Sequence, residues 1–285
     1  MKKFLIIILF VFYQSVYSQI DYLNHEASLD ICKSKFDLAL SGSLHEKPIN
    51  EIFLTIALSF IGTDYEGFVL EKPEKEEMFI YLEGLDCVSL IENSLVLSRL
   101  IKKQDLNFES YLRELEYIRY RDGKREDYLS RLHYFSEWIE NNEMKGILKN
   151  VSKELGGKNL LTKNISFMSN SSKLYPKLKS DEDIIRLKET EKYLNKRDVY
   201  YIGKEQLVSE RIIEKIQDGD LIALVASDTT LDITHTTITV KQNGRVHLLH
   251  APKPKTKVQI TEKPLFDYIK NNKSVKGIMV VRLVD

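Results

Sequence analysis

Cysteine, proline and glycine are all scarce in this chain, and each scarcity removes a class of protein. Two cysteines in 285 residues are too few for a disulfide scaffold or a zinc module, so each must be explained singly. Six prolines and 12 glycines exclude collagen, and 43% hydrophobic with 29% charged residues excludes coiled coil and wholesale disorder. An excess of one charge is also missing. With 42 Lys+Arg against 42 Asp+Glu there is no long-range field to gather nucleic acid or an acidic membrane, so any ligand is held by a local site. The apolar run from Phe4 to Tyr13 has ten residues, too few for a bilayer that needs roughly 20. Preceded by Lys2 and Lys3 and followed by Val16-Tyr17-Ser18 before Gln19, it reads as a secretory signal peptide over residues 1–18. No cysteine follows that break, which argues against a lipid anchor. Loss of Lys2 and Lys3 leaves 40 basic against 42 acidic residues. The mature chain, 19–285, is expected to be exported, periplasmic or secreted, a monomer with no stable membrane anchor and no nucleic acid partner.

What is present divides into a helical part, about 19–195, and a sheet-rich part, about 196–285. Leu29, Cys32 and Phe36 fall at helical spacing, as do Ile52, Phe53, Ile56, Ala57 and Phe60, a run that stops at Gly62 as at a C-cap. Phe79 to Leu82 reads as a short extended piece. Asp86 is placed to N-cap an apolar-periodic helix from Cys87 to Ile101. Phe108, Tyr111, Leu112, Leu115 and Ile118 mark another amphipathic helix, and Tyr128, Leu132, Phe135 and Ile139 a further one. Ser169 to Ser172 reads as an exposed loop, and the charged runs Glu71 to Glu77 and Asp181 to Lys192 as solvated faces. Beyond Asp198 come β-branched runs: Tyr200 to Ile202, Leu221 to Val225, Ile233 to Val240, Val246 to His250, Lys257 to Ile260 and Ile278 to Val284. They predict a mostly antiparallel sheet, with Asn243-Gly244 as a hairpin turn.

A cysteine in the first turn of a helix has its thiolate favoured by the helix dipole and unpaired amides, and Cys87 occupies that position. An imidazole to take its proton and a polar group to orient that imidazole complete the minimum set for acyl transfer. The hairpin selects among the histidines. If Gln242 pairs with Arg245, His250 falls opposite Thr237 and shares the face of His235, whereas His247 falls opposite Val240 and points away. His25, His45 and His133 have no such partner and read as surface or packing residues. The competing reading of Cys87 is a structural thiol, or half of a disulfide with Cys32, although Cys32 is explained by its apolar stripe. Arg131, Tyr134 and Trp138 fall on a second face of the helix near residue 135. One cation and two rings suit a sugar or carboxylate ligand, and a second packing face fits the spacing equally.

Gly62-Thr63-Asp64-Tyr65, Leu85-Asp86-Cys87-Val88-Ser89-Leu90, Asp218-Gly219-Asp220, Thr234-His235 and His250-Ala251 resemble, in order and approximate spacing, the NlpC-type cell-wall cysteine peptidases. The N-acetylmuramoyl-L-alanine amidase-like branch is closer still. Its hallmarks are matched by Arg131-Leu132-His133-Tyr134 with Trp138, Ser166-Phe167-Met168-Ser169, Leu231-Asp232-Ile233-Thr234-His235 and Leu248-Leu249-His250-Ala251. The resemblance implies an α+β fold forming one catalytic domain, with a papain-like core in which the nucleophile helix packs on an antiparallel sheet and extra helices cover the cleft. It implies Cys87 as nucleophile, His235 as general base, His250 as the orienting third member and Tyr65 lining the site. It also implies hydrolysis of the amide between N-acetylmuramic acid and L-alanine in soluble peptidoglycan fragments (muropeptides), with no metal and no cofactor. An endopeptidase acting within the stem peptide, or a non-catalytic wall-binding module with Cys87 locked to Cys32, are the rivals. Two departures stand out: Thr237 where the family usually has glycine, expected to crowd the cleft wall, and Gly203 where it has proline, expected to loosen a loop.

Overall fold

The computed structural model describes residues 22–24, 26–161, 164–253 and 256–285. The expected signal peptide and His25 lie outside the described residues. Strand β1 (Tyr22–Asn24) is followed by α1 (Glu26–Ser41), α2 (Ile49–Leu58) and the short strands β2 (Asp64–Tyr65), β3 (Met78–Ile80) and β4 (Gly84–Leu85). Helices α3 (Cys87–Lys103), α4 (Phe108–Arg119) and α5 (Phe135–Met144) come next. Among the described residues no helix is long and apolar enough to cross a membrane.

Helix α3 lies at the centre. From Ser89 to Ser98 every residue is buried, the polar ones included, so the helix has no solvated face. Its buried polar groups are met largely from within: Glu92 pairs with Arg119 of α4 at 2.8 Å, Asn93 takes the Tyr111 hydroxyl, and Ser98 donates to the Ser94 carbonyl at 2.6 Å, while the Ser94 hydroxyl itself has no partner among the described residues. Helices α1, α2 and α4 surround it, and strand β9 (Ile233–Gln242) of the sheet described next closes the remaining side.

The remaining elements are β5 (Leu148–Asn150), β6 (Asn159–Leu160), α6 (Phe167–Asn170), α7 (Asp181–Leu194), β7 (Tyr200–Gly203), α8 (Glu210–Ile213), β8 (Leu221–Ala226), β9 (Ile233–Gln242), β10 (Arg245–His250), β11 (Gln259–Ile260), α9 (Leu265–Ile269) and β12 (Val275–Leu283). They build an eight-stranded sheet in the order β11-β10-β9-β8-β12-β7-β6, with β5 also pairing with β12, and every pairing is antiparallel. Alternation sorts its two faces. Leu221, Ala223, Val225, Ile238, Leu249 and Met279 join the helices in the larger core, while Ile222, Leu224, Val246, Leu248, Ile278 and Val280 form a smaller one with Leu265 and Ile269 of α9. Burial on both faces explains why β8 reads Leu-Ile-Ala-Leu-Val-Ala, without a polar alternate.

The strands expected from β-branched runs are all present, but the sheet also recruits β5 and β6 from before residue 196. Helix α2 ends at Leu58, ahead of Gly62, which instead turns at φ 90° and donates its amide to the Val258 carbonyl at 2.9 Å. The expected helix from Tyr128 to Ile139 is broken. Asp127 and Ser130 cap a single 3-10 turn, and Leu132 then gives its amide to the Arg119 carbonyl rather than to a helical partner, so α5 starts only at Phe135. Ser169 to Ser172 is not a bare loop, since Ser169 and Asn170 belong to α6 and Ser172 opens a 3-10 turn, although none of the four is buried. The Asp181 to Lys192 run is α7, capped by Ser180 with Asp183 and burying Leu187, Glu191 and Leu194 on one stripe. Gly203 is a buried part of β7 whose amide donates to Gln206 at 3.1 Å, a bond proline could not make, so no loosened loop results.

Gly219 has φ 79°, and a Cβ there would lie 2.7 Å from the Asn50 carbonyl, whereas Gly244 has φ 76° with nothing within 4 Å. Gly219→Ala should therefore destabilise by more than about 1 kcal/mol and more than Gly244→Ala, which bears the backbone cost alone. Thermal melts of the two variants check this; equal losses would show that the Asn50 contact gives way.

Candidate active site

The site begins with a helix cap. Asp86 accepts from the Val88 and Ser89 amides at 3.1 and 2.7 Å, and Ser89 Oγ accepts the Asp86 amide at 2.9 Å, a reciprocal box that fixes Cys87 as the first residue of α3. Thr236 of β9 donates its hydroxyl to the Cys87 carbonyl at 3.0 Å and fastens the helix start to the sheet. Both cysteines are free thiols, Cys32 buried and Cys87 half-buried. The dipole was expected to favour the Cys87 thiolate. Burial outweighs it: together with the adjacent Asp86 carboxylate it pushes the thiol up to about 11, against hydrogen bonds from Thr236 that pull it down.

The hairpin has the expected register, from Arg245 opposite Gln242 through His247 opposite Val240 to Leu249 opposite Ile238. His250 and Thr237 are the next positions in that register. His235 Nε2 and His250 Nδ1 lie 3.0 Å apart, with the rings edge to face at 69°. His250 is 3% exposed and sits edge-on against Tyr268. His247 turns away, its Nδ1 2.8 Å from the Thr261 carbonyl. Burial lowers His250 to about 4, and burial with the neighbouring His250 and Lys253 lowers His235 to about 3. Over the neutral range thiol and imidazoles are therefore all uncharged. The β8–β9 register shifts just here, Leu224 pairing with His235 but Val225 with Ile233, so Thr234 is an extra residue immediately before the histidine. Thr237 is buried and its hydroxyl donates to the Ile222 carbonyl at 3.4 Å, directed at the neighbouring strand rather than into a cleft.

Tyr65 is brought to the site. It pairs with Leu85 in the β2–β4 ladder, and its hydroxyl is raised by burial and by the nearby Asp86 and Cys87. Arg131, Tyr134 and Trp138, expected on one helical face, are not on one face, because the helix starts only after Tyr134. All three are buried, Arg131 and Tyr134 bonded inward and Trp138 packed with its ring N–H unpartnered among the described residues. Arg131 pairs with Glu71 and, at 3.4 Å, with Glu76; Tyr134 donates to Glu191 at 2.7 Å; Trp138 stacks on Phe135 at 4.9 Å. Of the two readings weighed for this set, packing is what the geometry displays. Residue patterns gave no part to Thr236 or Glu191. Thr236 carried a signal, its place beside His235 on a strand facing α3. His133 is half-buried against Tyr128, as a packing residue can be, and half-buried His45 lies 3.9 Å from Glu46.

Cys32, 1% exposed, is pushed up to about 12 by burial. Iodoacetamide should therefore label Cys87 before Cys32, at a rate rising with pH towards about 11. Asp86→Asn removes the charge that raises the thiol, so its labelling profile should shift to lower pH. Peptide mapping after pH-jump labelling checks both; Cys32 modified first would refute the assignment.

Residues 55–278 match the family described as AmiA-like, N-acetylmuramoyl-L-alanine amidase-like. Among solved structures, an N-acetylmuramoyl-L-alanine amidase from Bacteroides uniformis ATCC 8492 is 30% identical with a TM-score of 0.77, over 83% of this chain and 99% of that one. A Bacteroides fragilis protein described as a candidate xylanase is 33% identical with a TM-score of 0.74, over 80% of this chain and 99% of that one. A Legionella pneumophila str. Philadelphia 1 protein, 22% identical with a TM-score of 0.67 over 91% and 95% of the two chains, shares the fold. No curated protein matches. With a family match over most of its length and a 30% identical amidase covered almost end to end, the chain belongs to the AmiA-like, N-acetylmuramoyl-L-alanine amidase-like family.

Proposed function

We propose that this protein is an exported, monomeric thiol hydrolase of the NlpC-type, papain-like architecture that cleaves the amide between N-acetylmuramic acid and L-alanine in muropeptides. The observation that carries it is the 3.0 Å contact of His250, on β10, with His235, on β9, where the next residue, Thr236, holds the Cys87 end of α3. In this reading Cys87 Sγ attacks the lactyl carbonyl while its proton passes to His235. A base that is neutral at working pH and a thiol that is protonated fit proton transfer during attack rather than a resting ion pair. The oxyanion forms at the positive end of α3. His235 returns the proton to the L-alanine nitrogen as the C–N bond breaks, leaving a thioester. Water, deprotonated by His235, then releases the muramic acid carboxylate and the free thiol. His250 holds the base in one tautomer, and Tyr65 lines the site. Glycoside cleavage, as a xylanase would require, calls for two carboxylates facing the scissile bond, whereas here Asp86 is engaged as a helix cap.

Mass spectrometry of a defined muropeptide digest should show a peptide beginning with L-alanine together with intact sugar, and Cys87→Ala should abolish both. Sugar still joined to a shortened peptide would establish the endopeptidase instead. His250→Ala should lose a factor on the order of 10² to 10⁴ in turnover, as for other triad members, with His247→Ala near wild type. The reverse ranking would overturn the assigned set.

A further inference from the structure

Asp232 is a carboxylate with 2% exposure, three residues before His235, and no reaction step uses it. Its two oxygens are engaged by two elements: Oδ2 accepts the Ser136 amide in the first turn of α5 at 2.7 Å, and Oδ1 accepts the Ile233 amide at the start of β9 at 2.7 Å. Tyr134, the N-cap residue of α5, makes no side-chain cap of its own, so Asp232 caps that helix from the sheet. Ser136 is gripped from the other side, where Arg197 donates to its carbonyl at 3.2 Å and to its hydroxyl at 3.0 Å. The loop leading to Asp232 is held too. Thr230 accepts the Ser166 and Phe167 amides at 2.9 and 3.0 Å, and the Met168 amide in turn donates to the Tyr134 hydroxyl at 3.0 Å.

We propose that Asp232 is a positioning residue for His235, the joint through which α5 and the Ser166–Ser169 segment fix the base. The proposal rests on the reading of His235 as the base. Behind Asp232 only Ile233 and the extra residue Thr234 separate the joint from the imidazole, so a displaced strand start reorients the ring directly. On this account Tyr134 and Trp138 act on the reaction from inside the core, by fixing where α5 begins, and touch no substrate.

The test is Asp232→Asn, which keeps the shape but turns one acceptor oxygen into a donor facing an amide. Turnover should fall at least tenfold with KM within about twofold. The imidazole 15N shifts of His235 at neutral pH, which report its tautomer and its bond to His250, should move towards those of a free, exchanging imidazole. Asp220→Asn is the control. Asp220 is equally buried and accepts twice from Arg282 at 2.8 Å, so its loss should lower the melting temperature while leaving turnover and the His235 shifts unchanged. Should Asp232→Asn not fold, Arg197→Gln loosens Ser136 from the opposite side, and a smaller change in the same two readouts is expected. Wild-type turnover and wild-type His235 shifts in the folded variant would overturn the proposal, as would an equal loss in Asp220→Asn. The 15N shifts need no substrate, so a protein that proved inactive on muropeptides would refute the proposed function while this joint was still judged.

Discussion

The burial of α3 on every side is the constraint from which the site follows. A helix with no solvated face draws the partners of its charged and amide side chains from within the protein, and those partners fix its neighbours. Breaking a buried pair such as Glu92 with Arg119 typically costs about 3–5 kcal/mol, because the surviving charge is left unpaired. Helix α4 is therefore held to α3 by an interaction it cannot give up singly, and the Tyr111 hydroxyl on Asn93 adds a second lock at the adjacent α3 residue, about two turns away along α4. With α2 and β9 on its other sides, the N-terminal end of α3 presents Cys87, half-buried, beside the strand that carries His235.

That same burial decides the protonation states. A thiol at a helix start in water would be acidified by the dipole, by a fraction of a unit to a few units depending on its surroundings. Here the neighbouring carboxylate that caps the helix opposes that effect, and removal from water opposes it further. Desolvation drives the two imidazoles the other way, so the partly buried set is neutral over the neutral range. A neutral set costs little to keep out of water, and charge separation then occurs only as the substrate carbonyl is attacked. Lys253 contributes in the same sense, since a cation beside His235 disfavours the imidazolium until an anion forms.

Much of this was legible in the residues themselves, for identifiable reasons. The Asp86 cap and the Asn243-Gly244 hairpin are local features, so chain neighbours suffice to read them, and the hairpin register separated His250 from His247 because side chains alternate strictly on paired strands. The stretch from Tyr128 to Ile139 misled because its buried residues satisfy a helical period without a helix. What ends the helix is a contact with Arg119, remote in sequence and invisible to periodicity. Strands β5 and β6 were missed for the same reason: two or three residues long, they exist only through pairing with β12 and β7. Thr236 and Asp232 act through backbone atoms of distant elements, and no residue pattern reports which amide a side chain will meet.

Those distant bonds also explain why separate sequence blocks occur together. The Arg131–Tyr134 block meets the Ser166–Ser169 block where the Tyr134 hydroxyl accepts the Met168 amide, and Glu191 of α7 bonds both, taking the Tyr134 hydroxyl and the Ser169 amide. The second block meets the third at Thr230, and the third returns to the first through Asp232 and Ser136. The three close into a ring around the start of β9. In a closed ring each contact is held by the other two, so the position of His235 is set by the whole circuit and small displacements in one segment are resisted by the rest. Most of these bonds use backbone amides as donors, which any residue but proline supplies. The side chains that serve as acceptors are Asp232, Glu191 and Tyr134; the last two join the first block to the second, and Asp232, with the Thr230 carbonyl, ties the helical half of the chain to the histidine strand.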